Sequence, residues 1–258
     1  MKLTAIILTY NEANHIQACI ESVRFADHVL VFDSFSNDET VKLAQEAGAA
    51  VVQHRFEDYA SQRNAALKAV EGQADWVLFV DADERVTPEL AAEVRRVIEQ
   101  PAIAGWRIPR HNYIFGKLTQ GAGWFPDYQT RVLRIGAAHY DPDRQVHELV
   151  LLDGPEGTLE NPLVHYNYAS LDQFHRKQRA YSAYDAQILY EQGIRPKPQN
   201  YVLQPLRQFW WRFVTLKGYQ DGWHGLRLSL LMARYELRKY ILLRQMWGGA
   251  EDDRPGFI

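Results

Sequence analysis

The chain has 258 residues, of which 47% are hydrophobic and 24% charged, so it can bury one substantial core, with or without an appendage. Its formal net charge of −3 argues against a nucleic-acid partner, because such proteins usually carry a strongly basic domain. The single cysteine, Cys19, excludes an internal disulfide and suits a reducing compartment. The N-terminal residues lack the pattern of a secretory signal peptide, so we expect a cytoplasmic protein.

Strand and helix patterns alternate through residues 1–100. Apolar runs of strand length occupy residues 3–8, 29–32, 49–53 and 76–80, and helical patterns occupy residues 16–23, 38–48, 59–70 and 87–98. Asp38 and Thr87 are predicted N-caps, and Gly48 is placed to end its helix in a left-handed conformation. The alternation predicts an α/β fold with a mostly parallel, Rossmann-like sheet and helices on both faces.

The fourth predicted strand ends in two carboxylates, Asp81 and Asp83. In open α/β sheets, ligands bind outside the carboxyl ends of the strands. Two neighbouring carboxylates repel each other, and Mn²⁺ or Mg²⁺ bound between them and to phosphate oxygens would relieve that repulsion. The pattern predicts a metal site, and a solvated acidic turn is the alternative.

Two other strand ends carry polar groups, at residues 9–12 and at Asp33. A buried Asp33 could accept hydrogen bonds from a nucleoside, and Arg63 near a helix start could approach a diphosphate. The sequence has neither a Gly-x-Gly-x-x-Gly motif nor a Gly-Lys-Ser/Thr motif, which argues against a dinucleotide oxidoreductase and a P-loop enzyme. We therefore expect a nucleotide diphosphate bound with the help of a metal ion.

Four motifs in this order resemble the inverting family 2 glycosyltransferases with a GT-A fold. They are residues 7–12, 33–40, 62–64 and 81–83. The resemblance implies that a UDP-sugar donor is bound by residues at these strand ends, with Mn²⁺ or Mg²⁺ held by Asp83 and Asp81. The implied donor-site residues are Thr9, Tyr10, Asn11, Glu12, Asp33, Ser34, Arg63, Asp81, Ala82 and Asp83.

Residues 101–168 are predicted to form the acceptor half of a catalytic domain that spans residues 1–168, with the nucleotide-binding half in residues 1–100. Within the family, residues 127–134 and 146–148 resemble bacterial lipopolysaccharide-core glucosyltransferases. That resemblance implies transfer of glucose to a saccharide or lipid-linked acceptor of the cell envelope. The acceptor-side candidates are Trp124, Gln129, Arg131 and His147. For the aromatic ring of Trp124, a plain core position is the alternative.

Inverting transfer by direct displacement requires a carboxylate opposite the leaving diphosphate, which takes the proton of the acceptor hydroxyl. The metal carboxylates lie on the leaving-group side, so the base is expected in the middle segment. Glu148 looks like the acidic base motif of the family, although His147 stands where a second acid is usual. Asp127 is the alternative base.

Residues 169–258 are predicted to be an amphipathic helical region, with helices at 171–191, 203–217 and 225–247. Residues 201–247 contain eight basic and two acidic residues and four of the seven tryptophans. This composition favours contact with an anionic membrane surface, on the inner face, without a span. The alternative is a helical hairpin packed on the catalytic domain or on a second copy of the chain.

Two other classes of function were weighed. Haloacid-dehalogenase-type phosphatases also carry Asp-x-Asp after a strand, and Asp81 would then be the nucleophile. Its place after the fourth strand and the acid at Glu84 argue against that class. A non-catalytic nucleotide-sugar-binding or membrane-associated scaffold of the same fold would be expected to lose its acids, whereas this chain keeps Asp83, Asp127 and Glu148.

Overall fold

The computed structural model describes residues 1–100, 102–142 and 149–252, with side chains described through Gly248. The strands of the described residues are β1 (Leu3–Thr9), β2 (His28–Asp33), β3 (Ala50–Gln53), β4 (Trp76–Asp81), β5 (Glu84–Arg85), β6 (Gly105–Ile114), β7 (Lys117–Thr119), β8 (Asp127–Arg134), β9 (Ala138–Tyr140), β10 (Val150–Leu152), β11 (Glu156–Thr158) and β12 (Leu163–Tyr168). The helices are α1 (Ile16–Ser22), α2 (Thr40–Glu46), α3 (Tyr59–Ala69), α4 (Pro88–Val97), α5 (Leu171–Glu191), α6 (Asn200–Trp210) and α7 (Trp223–Asp252).

The chain divides into two compact units. The first unit contains residues 1–111 and 127–166, and the second contains residues 112–126 and the chain from residue 167 onward. The predicted division after residue 168 differs from this one in the placement of residues 112–126. Those residues belong with the C-terminal helices because their backbone is bound there: Ala122 N donates to Leu216 O at 2.8 Å, and Gly121 N donates to the Asp221 carboxylate at 2.7 Å.

Most of the first unit is built on a mixed sheet of strand order β3-β2-β1-β4-β8-β6-β12-β5. The strands β3, β2, β1 and β4 run parallel, and β8 is antiparallel to β4 and β6. Thr9 lies beside Asp33 in the β1–β2 register, and Leu8 lies beside Asp81 in the β1–β4 register. The predicted α/β fold is confirmed, and the three polar strand ends are neighbours at one edge of the sheet.

Alternate residues of β1 pack on opposite faces of the sheet. Leu3, Ala5 and Ile7 belong to a buried cluster with residues of α1, α2 and α4. Ile6 belongs to a second buried cluster with residues of α3. Each strand therefore had to be apolar throughout, which is why β1 and β4 are unbroken apolar runs in the sequence.

The helix termini partly match the predicted caps. Thr87 Oγ1 accepts a hydrogen bond from Leu90 N at 3.2 Å, and Gly48 has φ of +81°, as predicted. The prediction for Asp38 is wrong by one position, because α2 begins at Thr40 and its N-cap residue is Glu39. The Asp38 carboxylate instead accepts a hydrogen bond from Ala13 N at 3.2 Å as well as one from Thr40 N, and so it ties two loops together.

The second unit is helical around a small aromatic core. Its buried cluster contains Ile114, Tyr168, Phe174, Leu228 and Tyr235. The helix α5 has the predicted bounds, α6 begins three residues before the predicted start and continues as a π-helical turn (Trp211–Thr215), and α7 extends beyond the predicted helix at both ends. In the part of the chain that the structure describes, no helix combines the length and the apolar character that crossing a membrane requires.

Candidate active site

Asp33 lies at the carboxyl end of β2 and is completely buried. Its carboxylate accepts hydrogen bonds from Thr9 Oγ1 at 3.1 Å, from Gln53 Nε2 at 3.0 Å and from Ser36 N at 2.9 Å. The hydroxyl of Ser36 donates to the same carboxylate. The negative charge at this strand end is therefore held in place by donors from three parts of the chain.

The loops that follow β1 and β2 are bound to each other. Asn11 has φ of +56°, its backbone N donates to Ser36 Oγ at 2.8 Å, and its Oδ1 accepts from Asn37 N at 2.9 Å. Glu12 N donates to Thr40 Oγ1 at 2.8 Å. Asparagine tolerates this left-handed conformation better than most residues. Tyr10, the residue that precedes Asn11 and follows Thr9 at the end of β1, is 58% exposed. An exposed aromatic residue therefore directly follows the strand end that pairs with Asp33.

Ser34 and Gln62 connect the loop after β2 to α3. Gln62 Nε2 donates to Ser34 Oγ at 3.0 Å, and Gln62 Oε1 lies 2.8 Å from His54 Nδ1. The following residue, Arg63, is almost completely buried, and its guanidinium lies 5.1 Å from the centre of the Phe79 ring. Gln62 and Arg63, two of the three residues of the motif at 62–64, therefore have different partners: Gln62 binds the loop after β2, and Arg63 contacts residues of β4.

Asp81 is held by two guanidinium groups. Arg63 Nη2 lies 3.4 Å from Asp81 Oδ1, Arg131 Nη1 lies 3.3 Å from the same oxygen, and Arg131 Nη2 contacts Asp81 Oδ2. Burial works against the charge of Asp81, but Arg131 and Arg63 outweigh it and hold the pKa of this carboxyl well below its ordinary value. Asp81 is therefore an ionised carboxylate with two fixed cationic neighbours.

Glu84 continues this series of ion pairs beyond Asp81. Its side chain is fully buried, its Oε1 lies 3.1 Å from Arg131 Nη2 and 3.3 Å from Arg110 Nη1, and its Oε2 accepts from Asp81 N at 2.9 Å. Neither Glu84 nor Arg110 was predicted as a site residue. The available signal was an arginine on each of the neighbouring strands β6 and β8, of which Arg131 is buried and Arg110 partly buried, since an arginine is buried only with a partner.

Asp127, a predicted base, is the last member of this series. Arg110 Nε donates to Asp127 Oδ2 at 3.0 Å, and Gln129 Nε2 donates to Asp127 Oδ1 at 3.1 Å. Cations and carboxylates thus alternate through side chains of α3, β4, β8, β5 and β6. We call this series the ion-pair chain; its members are Arg63, Asp81, Arg131, Glu84, Arg110 and Asp127.

Asp83 stands outside the ion-pair chain. Its Oδ2 lies 3.5 Å from His165 Nε2, and its side chain is 22% exposed. Within residues 1–100, 102–142 and 149–252, no three His, Cys, Asp or Glu side chains are arranged to hold a metal ion. The donor set at Asp81 and Asp83 fits an oxygen-preferring divalent cation that takes its other ligands from water and phosphate, which is how Mg²⁺ is usually bound.

The described residues of the predicted acceptor side each have identifiable contacts. Arg131 is buried in the ion-pair chain, which differs from its predicted place at the acceptor, and Gln129 lies beside Asp127. Trp124 belongs to the second unit, where its ring lies 6.1 Å from that of Tyr168 and packs against the buried cluster, which favours the core alternative. His147 and Glu148 lie outside the described residues.

Two solved structures can be aligned with most of this chain. The mannosyltransferase PcManGT of Pyrobaculum calidifontis, in complex with GDP-Man and Mn²⁺, matches with a TM-score of 0.48 at 14% identity and covers 97% of this chain and 79% of that chain. TarS 1-349 of S. aureus, in complex with UDP, matches with a TM-score of 0.48 at 15% identity and covers 100% of this chain and 94% of that chain.

Curated relatives match nearly the whole chain. The lipopolysaccharide core biosynthesis glycosyltransferase LpsC of Rhizobium meliloti (strain 1021) is 28% identical over 267 residues, which cover 94% of each protein. An uncharacterized glycosyltransferase of Rickettsia felis (strain ATCC VR-1525 / URRWXCal2) is 29% identical over 261 residues, which cover 95% of this chain and 90% of the relative.

The family itself is identified by a match to more than half of the chain. Residues 4–142 match the family described as Glycosyl transferase family 2. The matched segment contains the donor-site residues predicted from the four motifs and all members of the ion-pair chain. The resemblance stated from those motifs is confirmed: the chain belongs to glycosyl transferase family 2.

Proposed function

We propose that the protein is an inverting, metal-dependent transferase that moves a sugar, glucose in our hypothesis, from a UDP-sugar to a saccharide or lipid-linked acceptor. Family membership establishes an enzyme that transfers glycosyl groups from a nucleotide-sugar donor. The observation that carries the finer proposal is the register that places Thr9 beside Asp33 and Leu8 beside Asp81 at one sheet edge. The name of the Rhizobium relative supports an acceptor of the lipopolysaccharide-core type.

The donor would lie across the carboxyl ends of β1, β2 and β4. The exposed ring of Tyr10 suits stacking against a nucleoside base, and the buried carboxylate of Asp33 suits a base imide or a ribose hydroxyl. Asp33 already accepts four hydrogen bonds, so a nucleoside would replace one donor, and the hydroxyl of Ser36 is the most easily rotated of them. Thr9, Asn11, Glu12 and Ser34 complete the proposed nucleoside side of the site.

Asp83 is the proposed principal metal ligand, with Asp81 beside it and Ala82 between them. Two guanidiniums already compensate Asp81, whereas Asp83 has only a histidine ring near its carboxylate among the contacts described. Bound Mn²⁺ or Mg²⁺ would supply positive charge to the leaving diphosphate. The cationic groups of Arg63 and Arg131 add to that charge from the protein side, and they fix where Asp81 sits.

Glu148 is the proposed catalytic base, and Asp127 is the alternative. The contacts of Asp127 support this order: Arg110 and Gln129 donate to both of its oxygens, at 3.0 Å and 3.1 Å. A general base needs an oxygen that can take a proton from the acceptor hydroxyl. A carboxylate oxygen that is already hydrogen-bonded to a guanidinium must first lose that charge-assisted bond, which costs free energy. Asp127 then serves to hold Arg110 in the ion-pair chain.

Donor binding provides the first test. Calorimetry with UDP in the presence of Mn²⁺ and after EDTA should show affinity at least about tenfold weaker without metal, because charge on the diphosphate is then uncompensated. Asp83→Asn should remove the metal effect. Asp75→Asn is the matched control, since Asp75 lies at the opposite end of β4 and binds Lys2 N at 2.7 Å. Equal affinity with and without metal would contradict the proposal.

The base is tested by comparing two substitutions. Glu148→Gln should abolish transfer while it leaves UDP and metal affinity nearly unchanged, because the carboxylate acts on the acceptor. Asp127→Asn should retain part of the turnover. A screen of nucleotide sugars against saccharide acceptors supplies the transfer assay. Near-normal transfer by Glu148→Gln, together with loss in Asp127→Asn, would reverse the assignment.

The alternatives give different results in the same assays. Family membership leaves a phosphatase with Asp81 as nucleophile without support, and the two guanidiniums on Asp81 argue against such a nucleophile. A non-catalytic scaffold would bind UDP and fail to turn over any donor.

We also propose that the enzyme works at the inner face of a membrane, because residues 201–247 are locally basic and rich in tryptophan. A second copy of the chain is the alternative partner for that segment.

A further inference from the structure

The helix α6 exposes its apolar side chains instead of burying them. Val202, Leu203 and Leu206 are each 59% exposed, and Trp210 is 63% exposed. None of the residues of α6, all of which are described, is buried. A surface helix normally turns its apolar side toward a core, so this helix presents a face that lacks a cover within its own unit.

The exposed residues form one continuous face. Leu203, Leu206, Trp210 and Val214 follow one another at intervals of three and four residues, and Val202 lies next to Leu206 on the helix surface. Val214, in the π-helical turn, is 36% exposed. We call these five residues the α6 face. It is a stripe about three turns long, with an aromatic ring near one end.

The segment that carries the α6 face and the residues that follow it in sequence are basic and aromatic. Arg207 is exposed within α6, and Lys217 and Arg227 are exposed in the segments that follow. Trp211 is 45% exposed, and Trp223 is 78% exposed. Indole rings favour the headgroup level of a bilayer, and guanidinium and ammonium groups favour anionic headgroups. Both preferences are met on this part of the second unit.

The charge of the face distinguishes a membrane from a second copy. In a two-fold dimer the same surface of each copy forms the interface. Arg207 and its basic neighbours would then lie close to the basic residues of the other copy. Like charges brought together without compensation disfavour that contact. An anionic lipid surface instead supplies the opposite charge around the apolar stripe.

We propose that the α6 face inserts into the headgroup region of an anionic bilayer, with α6 lying parallel to the membrane surface and Trp211 and Trp223 beside it. The inference rests on the membrane location given above under the proposed function and assigns it to one surface. It requires no span, in agreement with the absence of an apolar spanning helix among the described residues. It also places the basic residues at the lipid phosphates.

The test uses the full chain and two kinds of vesicle. One kind is phosphatidylcholine alone, and the other contains about one third phosphatidylglycerol, which gives it a negative surface charge. The chain should sediment with the anionic vesicles and detach as salt is raised. A variant with Leu203→Ser, Leu206→Ser and Trp210→Ser should bind at least about tenfold more weakly, and Arg207→Gln about fivefold more weakly. Leu151→Ser is the matched control, since Leu151 is 38% exposed in the first unit.

Three results would overturn the inference. The first is no binding of the chain to anionic vesicles, and the second is binding that the triple substitution leaves unchanged. The third is a chain that sediments as a dimer without lipid and becomes a monomer on the triple substitution, which would assign the face to a second copy. UDP affinity, measured on every variant, separates this surface from the donor site, so either proposal can fail without the other.

Discussion

The two units treat charged and apolar side chains in opposite ways. The first unit buries side chains that form ion pairs, among them Glu84 and Arg131, while the second unit exposes Leu206 and Trp210. Folded proteins usually do the reverse, with apolar groups inside and ions at the surface. Each departure costs stability, so each one indicates a place where a requirement other than folding has shaped the sequence.

The buried ions of the first unit are tolerated because each has a partner. Three guanidiniums and three carboxylates alternate through the ion-pair chain, so the set is neutral overall. Four of its members lie on β4, β8 and β6, which are adjacent in the sheet, and the other two, Arg63 and Glu84, lie on α3 and β5. Such a network fixes the position of Asp81 through contacts that a mobile surface loop would not provide.

The exposed face of the second unit has no comparable compensation among the described residues. Its apolar area remains in contact with water unless a lipid surface or another molecule covers it. We therefore expect substitutions to reduce stability most at the buried charges and least at the exposed leucines.

Arg131→Met should give the largest loss of stability. It leaves the charges of Asp81 and Glu84 without their shared partner, and breaking a buried ion pair in this way costs about 3–5 kcal/mol. Lys42→Met is the matched control, because Lys42 and Glu39 form a pair whose side chains are 64% and 69% exposed. The control should leave the midpoint of unfolding nearly unchanged, because exposed ion pairs contribute little to stability. Urea unfolding measures both.

A loss of less than about 1 kcal/mol for Arg131→Met would show that the buried charges relax or hydrate easily. The charged side chains of the first unit would then no longer contrast with the exposed apolar side chains of the second unit. Arg131→Lys separates the effect of charge from that of geometry, because lysine keeps the charge but cannot make the bidentate contact with the Asp81 carboxylate.

The elements of the fold could be predicted where the signals are local. Ser170 accepts a hydrogen bond from Gln173 N at 3.2 Å, and Gly193 follows α5 at φ of +73°, so both ends of that helix are encoded by nearby residues. Asp38 misled the prediction because its carboxylate also binds Ala13 N, a contact between loops that no local pattern contains. The same limit applies to residues 112–126, because contacts with residues far along the chain decide the unit to which they belong.

The site could be predicted only as far as the strand ends. Asp81 follows an unbroken apolar run, which is a local signal for the end of a buried strand. Its partner Arg131 lies 50 residues later, on a strand whose antiparallel pairing with β4 had not been predicted. Glu84 and Arg110 were missed for the same reason, since an ion pair between strands depends on register and not on spacing along one element.

A smaller effect is expected at an exposed ion pair of the first unit. Asp27 accepts a hydrogen bond from Arg95 Nη1 at 2.9 Å and another from Leu3 N, and these contacts lower the pKa of its carboxyl to about 2. A lowered pKa stabilises the fold above the ordinary carboxyl value near 3.9 and loses that contribution as the pH falls toward 2. Because Asp27 is 41% exposed, the contribution should stay below about 1 kcal/mol.

Unfolding of the natural chain and of Asp27→Asn measures this contribution between pH 5 and about 2.5, the range in which the carboxyl of the unfolded chain becomes protonated before that of the folded chain. The two chains should differ most at the upper end and converge as the pH falls. Parallel curves over this range would mean that the contact does not persist in solution. A difference as large as that of Arg131→Met would remove the distinction between exposed and buried pairs.

The smallest effect should come from the α6 face itself. Leu206→Ala removes a side chain that is 59% exposed, so the free energy of unfolding should change by less than about 0.5 kcal/mol. Leu228→Ala in α7 is the contrast, because Leu228 is completely buried and its truncation should cost about 2–5 kcal/mol. Both leucines lie on helices of the same unit, and they differ in what covers them. If Leu206→Ala without lipid costs as much as Leu228→Ala, then protein already covers the α6 face in solution, and the apolar surface of the second unit is an interface between copies of the chain.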